Sequence, residues 1–392
     1  MTAPVVLLTT SLARGGAEMQ VAQLAVSLRR RGWPVSVVSL LQPSALEGDL
    51  VSSGVAVHSL RIEPGKPNPL ALPRLASILR RLRPRVLHSH MFHANLLARA
   101  IRLICPVPVV VSTLHSVAES SRRSADVRCR DWLYRITDGL SDLTVSVSAA
   151  GAERHASARA VPRAKLRVIP NGVDTERYRP DPAQRVHMRA QLGVGDEFAW
   201  LAAGRLMWKK DYPTMLRAMA RQRAGVLFIA GSGPLEPELR TLARELGVDA
   251  RFLGSRDDIP ELMNACDGLL LSSVAEGLPM VLLEAASSGL PSVAADAGGV
   301  REAVANERTG YVVPPGSPDA LAAAMSKLTE LSGQARREMA QAARDLAVTR
   351  FDLSVVTAQW ERLYLVTQPK LSLQTRVLTS PAIGQSRRET DR

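Results

Sequence analysis

Aromatic residues are scarce in this chain, at 4% of 392 positions, and none of them interleaves with the arginines as a stacking motif. That argues against a partner such as RNA or single-stranded DNA, and no nucleic acid is expected. Cysteine is also scarce: Cys105, Cys129 and Cys266 are scattered and odd in number. They form neither a disulfide framework nor a metal-binding spacing, which fits a reducing cytosol, and all three are expected to be buried structural thiols. No run of eighteen or more uncharged apolar residues occurs, so no membrane-spanning helix is expected. The N-terminus reads as a strand and lacks a basic leader with a small-residue cleavage site, so a cytoplasmic location is expected over secretion. A Gly-x-Gly-x-x-Gly after the first strand is missing as well, which disfavours a dehydrogenase.

What is present is globular. Hydrophobic residues make up 46% and charged residues 22%, and the length suits two domains. The net charge of +13 is unevenly placed. Residues 1–170 hold 23 Lys+Arg against 10 Asp+Glu, whereas residues 171–392 hold 27 of each. Arg29 to Arg31, Arg80 to Arg85 and Arg122 to Arg130 carry the excess. A basic half suits an acidic partner, such as a phosphate or an anionic lipid headgroup. It is equally what a solvated arginine-rich face would look like.

Short apolar runs alternate with helical periods nearly throughout. Val5–Thr9, Val35–Leu40, Val86–His88 and Val107–Ser112 read as buried parallel strands, with helices over Ala17–Arg31, Leu70–Arg83 and Ala94–Leu103 between them. The pattern restarts beyond residue 171, and Asn171-Gly172 with Pro180 and Pro182 marks the boundary. The fold class is therefore α/β, with two doubly wound sheets and a ligand cleft between the carboxyl ends of their strands. Residues 1–170 form the first domain and 171–350 the second. The polar, basic stretch 367–392 is expected to be disordered.

Four groups of residues carry chemistry. Gly15-Gly16-Ala17-Glu18 joins a strand to a helix and would let backbone N–H groups approach an anion, although any tight turn could use the same glycines. Gly204-Arg205 ends a strand, with Lys210 five residues beyond the arginine. A guanidinium fork and an ammonium on one loop suit a diphosphate and would neutralise charge on a leaving nucleotide. Glu276-Gly277-Leu278-Pro279-Met280-Val281 leads to Glu284, eight positions after the first carboxylate. N–H groups from Leu278 to Val281 would face the diphosphate, Glu284 would accept from ribose hydroxyls and Glu276 would hold sugar hydroxyls. A hydrolytic acid/base pair is the rival reading of the two carboxylates. Finally, His88, His90, His93 and His115 cluster at strand ends, as a polar cleft lining or as structural histidines. No cysteine or carboxylate completes a zinc spacing with them. Asp257-Asp258 read as helix-start acids.

Taken in order, these pieces resemble the glycosyltransferase family 4 group, retaining enzymes of the GT-B fold, over residues 3–366. Val168-Ile169-Pro170-Asn171-Gly172-Val173-Asp174, Gly231-Ser232-Gly233-Pro234 and Gly298-Gly299-Val300-Arg301-Glu302 stand in family sequence with those above. The resemblance implies two Rossmann-like domains, the second binding the donor and the first the acceptor, with the segment 351–366 crossing back to the first. It implies a catalytic set of Glu276, His115, Arg205 and Lys210. The donor site would add Gly16, Gly204, Gly231, Arg256, Gly277, Leu278, Pro279, Met280, Val281 and Glu284. Gly15, His90 and His93 would stand on the acceptor side. No Asp-x-Asp motif appears, and neither metal nor cofactor is expected. Many family members carry Glu-Gly-Phe-Gly where this chain has Glu276-Gly277-Leu278-Pro279, which leaves the donor's identity open.

The expected activity is transfer of a hexosyl or N-acetylhexosaminyl unit from a nucleotide diphosphate sugar, UDP-sugars favoured. The acceptor would be a glycan or polyprenyl-diphosphate-linked glycan in surface polysaccharide assembly, reached by peripheral attachment to an anionic membrane surface, with the arginines at 80–85 and 122–130 flanking the cleft mouth. The alternatives are an inactive nucleotide-sugar-binding partner subunit, and a nucleotide-sugar hydrolase or epimerase on the same fold.

Overall fold

In the computed structural model, residues 3–66, 68–116, 124–222 and 225–368 are described. The expected disordered tail lies outside them from residue 369 onward, as do Arg122 and Arg123. The first sheet contains β1 (Val5–Thr9), β2 (Val35–Leu41), β3 (Ala56–Ile62), β4 (Val86–His90), β5 (Val109–Leu114), β6 (Leu143–Ser146) and β7 (Leu166–Val168). The second contains β8 (Ala199–Ala203), β9 (Val226–Ala230), β10 (Ala250–Gly254), β11 (Gly268–Leu271), β12 (Ser292–Ala295) and β13 (Gly310–Val313). All pairings are parallel, in the orders β3-β2-β1-β4-β5-β6-β7 and β10-β9-β8-β11-β12-β13.

Parallel strands need cover on both faces, and the residue alternation supplies it. In the first sheet, Val5, Leu7, Val37, Val86 and Val109 face one core, and Val6, Leu8, Val38, Leu87 and Val110 face the other. The second sheet divides in the same way, with Leu201, Phe228 and Leu269 on one side and Trp200, Leu227 and Leu270 on the other. Two strands end later than their apolar runs suggest. β5 begins after Pro108, which has no N–H to give a ladder, and β4 continues through the polar pair Ser89-His90. Both therefore deliver histidines to the cleft.

The chain returns to the first domain at its end. Helix Leu353–Val366 buries Trp360 and Tyr364 in the same core as Trp33. Glu361 accepts from Trp33 Nε1 at 2.7 Å and from Arg31 at 2.8 Å. Across the domain boundary, Glu302 Oε1 accepts from Ala149 N at 2.8 Å and Ala150 N at 3.3 Å, capping helix Ala149–Ser157 from the other domain.

Two expectations are corrected. Cys105 and Cys266 are buried, but Cys129 is exposed, because it sits on the outward side of helix Ser124–Thr137. Arg80 to Arg85 do not flank the cleft mouth. They end helix Ala71–Leu82 and precede β4, and crossover helices run antiparallel to their strands, so these arginines lie at the edge where strands begin. Among the described residues, no helix is long and apolar enough to cross a membrane.

Candidate active site

Each sheet reverses its strand order once, between β1 and β4 in the first and between β8 and β11 in the second. In such sheets the ligand crevice opens outside the carboxyl ends at the reversal. Gly15 and Gly16 follow β1, His90 ends β4, Gly204 and Arg205 follow β8, and Glu276 follows β11. The two crevices face each other. A Cβ on Gly16 would lie 3.4 Å from Met280, and Asn171 Nδ2 donates to the carbonyl of Leu278 at 2.9 Å.

In the second domain, Gly204 and Gly231 take φ of +151° and +146°. A Cβ on Gly231 would sit 2.0 Å from the Gly204 carbonyl, so only glycine lets the two loops lie together. Ser272 Oγ donates at 2.8 Å to the carbonyls of both Lys210 and Asp211, tying the loop after β8 to the end of β11. Lys210 Nζ then reaches Glu276 Oε1 at 2.6 Å, both side chains being largely buried. Burial pushes the Glu276 carboxyl up, but Lys210, by charge and hydrogen bond, together with Lys209 and Ser273, holds it below its usual value. Arg205 is exposed, and its side chain forms no hydrogen bond or ion pair with another described residue. One cation is thus committed to a carboxylate, and a second is exposed without a side-chain partner among the described residues.

Pro279 has no N–H, so the amides available at the start of helix Met280–Ser287 are those of Leu278, Met280 and Val281. Glu284 lies within this helix and is partly buried. Desolvation raises its carboxyl to about 7, while Arg177, a hydrogen bond from Tyr178 and the charge of Lys210 pull the other way. A carboxylate accepts more hydrogen bonds when ionised, so donor binding should tighten with rising pH. The unliganded protein should behave oppositely. A raised folded-state pKa stabilises fully below the usual carboxyl value of 4.5, and that contribution is lost as pH rises through about 7. We expect the donor Kd to fall by up to about tenfold between roughly pH 6 and pH 8, with Glu284→Gln flattening the profile. Calorimetric titration of donor nucleotide across that range checks this, and an unchanged Kd would remove Glu284 from the site.

The histidines divide. His88 joins Tyr364 Oη and Thr113 Oγ1, each at 2.6 Å, and so anchors β4 to the returning helix. His90 Nδ1 and His115 Nε2 lie 3.0 Å apart. Burial depresses all three pKa values, His115 to about 4, so the rings are neutral at pH 7. His90 Nε2 and His115 Nδ1 are buried without a partner. Two orphaned polar atoms at the cleft suit sugar hydroxyls. His93 does not join the cluster: it is exposed on helix Phe92–Ile101, packed beside Phe92 and near Arg130.

Arg256 is also engaged elsewhere. It donates to both carboxylate oxygens of Asp258 through Nε and Nη2, and Asp257 pairs with Arg14 from the first domain. Asp258 precedes helix Ile259–Ala265 but makes no side-chain cap bond, so the two acids serve ion pairs rather than the helix start. The sequence reading missed Lys209, Ser273, Arg177 and Tyr178. The Lys209-Lys210 doublet was a usable signal. Arg177 and Tyr178 lie in the connecting segment, and only the fold brings them to Glu284. Among the described residues, no three His, Cys, Asp or Glu side chains are placed to hold one metal ion.

Two family models match the chain, Glycosyltransferase Family 4 over residues 14–177 and Glycosyl transferases group 1 over 184–346. The chain belongs to glycosyltransferase family 4. A GDP-mannose-dependent alpha-(1-6)-phosphatidylinositol monomannoside mannosyltransferase of Mycobacterium tuberculosis is 34% identical over 59% of this chain and 61% of its own. The chain thus spans about three fifths of that relative's length. An Escherichia coli UDP-Gal:alpha-D-GlcNAc-diphosphoundecaprenol alpha-1,3-galactosyltransferase is 28% identical over 66% of this chain and 70% of its own. In structure, Anabaena HepE in complex with UDP-glucose superposes with a TM-score of 0.82 at 25% identity, over 93% of this chain and all of that one. The fold is therefore GT-B, two Rossmann-like domains facing a cleft.

Proposed function

We propose that this protein is a retaining, metal-independent glycosyltransferase that moves a hexosyl or N-acetylhexosaminyl unit from a nucleoside diphosphate sugar to a lipid-linked glycan. The carrying observation is the free Arg205 beside the Lys210–Glu276 pair, where the two loops of the second sheet's reversal meet. A UDP-sugar is favoured by the UDP-glucose in HepE and by the donor named for the E. coli relative. Both curated relatives are named for acceptors that carry phosphate on a lipid, which suits a first domain holding the whole basic excess. The setting is assembly of surface polysaccharide at the inner membrane face, with the protein peripherally bound to acidic lipid.

In the reaction, the bond from the anomeric carbon to the diphosphate oxygen breaks on the face where the acceptor oxygen attacks. The acceptor's proton passes to the departing phosphate oxygen. Arg205, Lys210 and the amides of Leu278, Met280 and Val281 take up the growing negative charge. His115 and Glu276 hold the sugar hydroxyls as the ring gains positive character. A coupled assay for released nucleotide, with and without an acceptor, tests this. Release that needs acceptor supports transfer. Release without it means a hydrolase, and binding with no release means an inactive partner subunit.

Because side chains supply the cations, turnover should survive EDTA at millimolar excess over trace metal. Complete loss, restored by magnesium or manganese, would overturn the metal-independent reading.

A further inference from the structure

Helix Ser124–Thr137 packs inward against helix Phe92–Ile101. The buried Arg99 donates at 3.0 Å to both the Tyr134 carbonyl and Thr137 Oγ1. The opposite side faces water. Ala125, Arg128, Cys129, Trp132, Arg135 and Ile136 follow one another at intervals of three, one, three, three and one, a single stripe down that side, and all are exposed. Trp132 is 57% exposed and Ile136 55%. Asp126, in the first turn, is the acidic residue among the helix's exposed positions, and Asp131 is held in a two-point pair by Arg154. Arg102 ties the neighbouring turn to the Leu140 carbonyl, and that turn adds the exposed Leu103 and Ile104.

The outward stripe of a surface helix is ordinarily polar. Here it alternates apolar residues with arginine, the composition of a helix lying in a bilayer interface. Tryptophan sits at headgroup depth, aliphatic side chains lie just below, and guanidinium groups meet phosphates. We propose that this face seats the protein on a bilayer containing acidic phospholipid, with the helix axis in the membrane plane. The inference rests on the membrane-bound reading above and adds the surface that makes the contact. The basic excess of the first half supplies charge complementarity to such lipid. A second copy of the chain is the poorer occupant, because a two-fold contact would set Arg128 and Arg135 against themselves. The chain enters this helix from the segment that follows β5 and His115, so a bilayer on this flank lies beside the first domain's side of the cleft.

Cys129 provides a probe that does not depend on activity. It is the exposed cysteine of three, so the full chain can carry an environment-sensitive fluorophore there. With vesicles of phosphatidylglycerol and phosphatidylcholine, we expect flotation, a blue shift of the label and protection from an aqueous quencher. Phosphatidylcholine alone should give none of these. Trp132→Glu combined with Ile136→Glu should weaken partition on the order of thirtyfold, two repelled charges replacing two inserted side chains. Its melting temperature and donor affinity should be unchanged. If that variant fails to fold, Arg128→Glu with Arg135→Glu tests the same face. Wild-type flotation with a label that stays in water, or with variants that float equally, would overturn this surface and leave membrane binding intact. Equal flotation on both lipids would overturn the acidic partner. No flotation on acidic vesicles would remove the membrane reading itself.

Discussion

Arg205→Ala should lower turnover under saturating donor by about 10²- to 10³-fold, the loss that follows removal of one preorganised donor to a developing oxyanion. Its melting temperature should not move, because the Arg205 side chain is exposed and makes no hydrogen bond or ion pair with another described residue. Lys210→Ala should cost similar turnover and also stability. Glu276 is 8% exposed and would lose its 2.6 Å partner. Leaving one member of a buried pair alone costs about 3–5 kcal/mol, and Lys209, which also acts on Glu276, brings the expected value to the lower end. The double variant Lys210→Ala with Glu276→Gln should regain the stability without regaining the turnover. Steady-state kinetics at saturating donor and thermal melts of the three variants check this. Near-normal turnover in Arg205→Ala would take that residue off the diphosphate.

The difference between these two cations was not visible in the sequence. Arg205 and Lys210 stand five positions apart and read as equivalent phosphate ligands. Only the loop geometry shows that one is spent on a carboxylate and the other is free. What was legible depended on local chemistry. The glycines after β1, β8 and β9 announced sharp strand-to-helix turns, and the apolar runs announced buried strands to within about two residues. Elements with few buried positions were lost. β3 has one fully buried position in seven, so its alternation is faint, and it went unseen. Helix Ser124–Thr137 was missed for a related reason: Trp132 and Ile136 face outward while Tyr134 faces inward, so no apolar stripe stands out. Helix Ala149–Ser157 begins with the run Ala149-Ala150-Gly151, and its start is marked by Ser148 accepting from Gly151 and by Glu302 from the other domain. Arg80 to Arg85 were misplaced because counting charge ignores the direction in which a crossover helix runs. Contacts between domains, such as Arg14 with Asp257, join positions far apart in the chain and leave no trace in spacing.

The cross-domain contact with the greatest consequence is at Gly277, the residue after the first glutamate of the motif. Its backbone needs no left-handed conformation, so alanine is allowed there by local geometry. A Cβ, however, would sit 2.1 Å from the carbonyl oxygen of His115 and 3.2 Å from Val147. Both obstacles belong to the first domain, and the nearer one is backbone, which cannot rotate away. Gly277→Ala therefore leaves each domain's core intact and opposes their approach. Its effect should fall on the alignment of His115 with the donor loop that carries Glu276. A misplacement of about 1 Å in such an arrangement can cost about 10²-fold in rate, and we expect a turnover loss at least that large. Donor affinity should change much less, since Arg205, Lys210 and Glu284 all belong to the second domain. Kinetics paired with calorimetric titration of UDP or another donor nucleotide separate the two effects. A variant with normal turnover would mean that catalysis does not pass through the closed arrangement in which Gly277 meets His115. A variant with normal melting, near-normal nucleotide binding and almost no transfer is the result that the close approach of these two backbones leads us to expect.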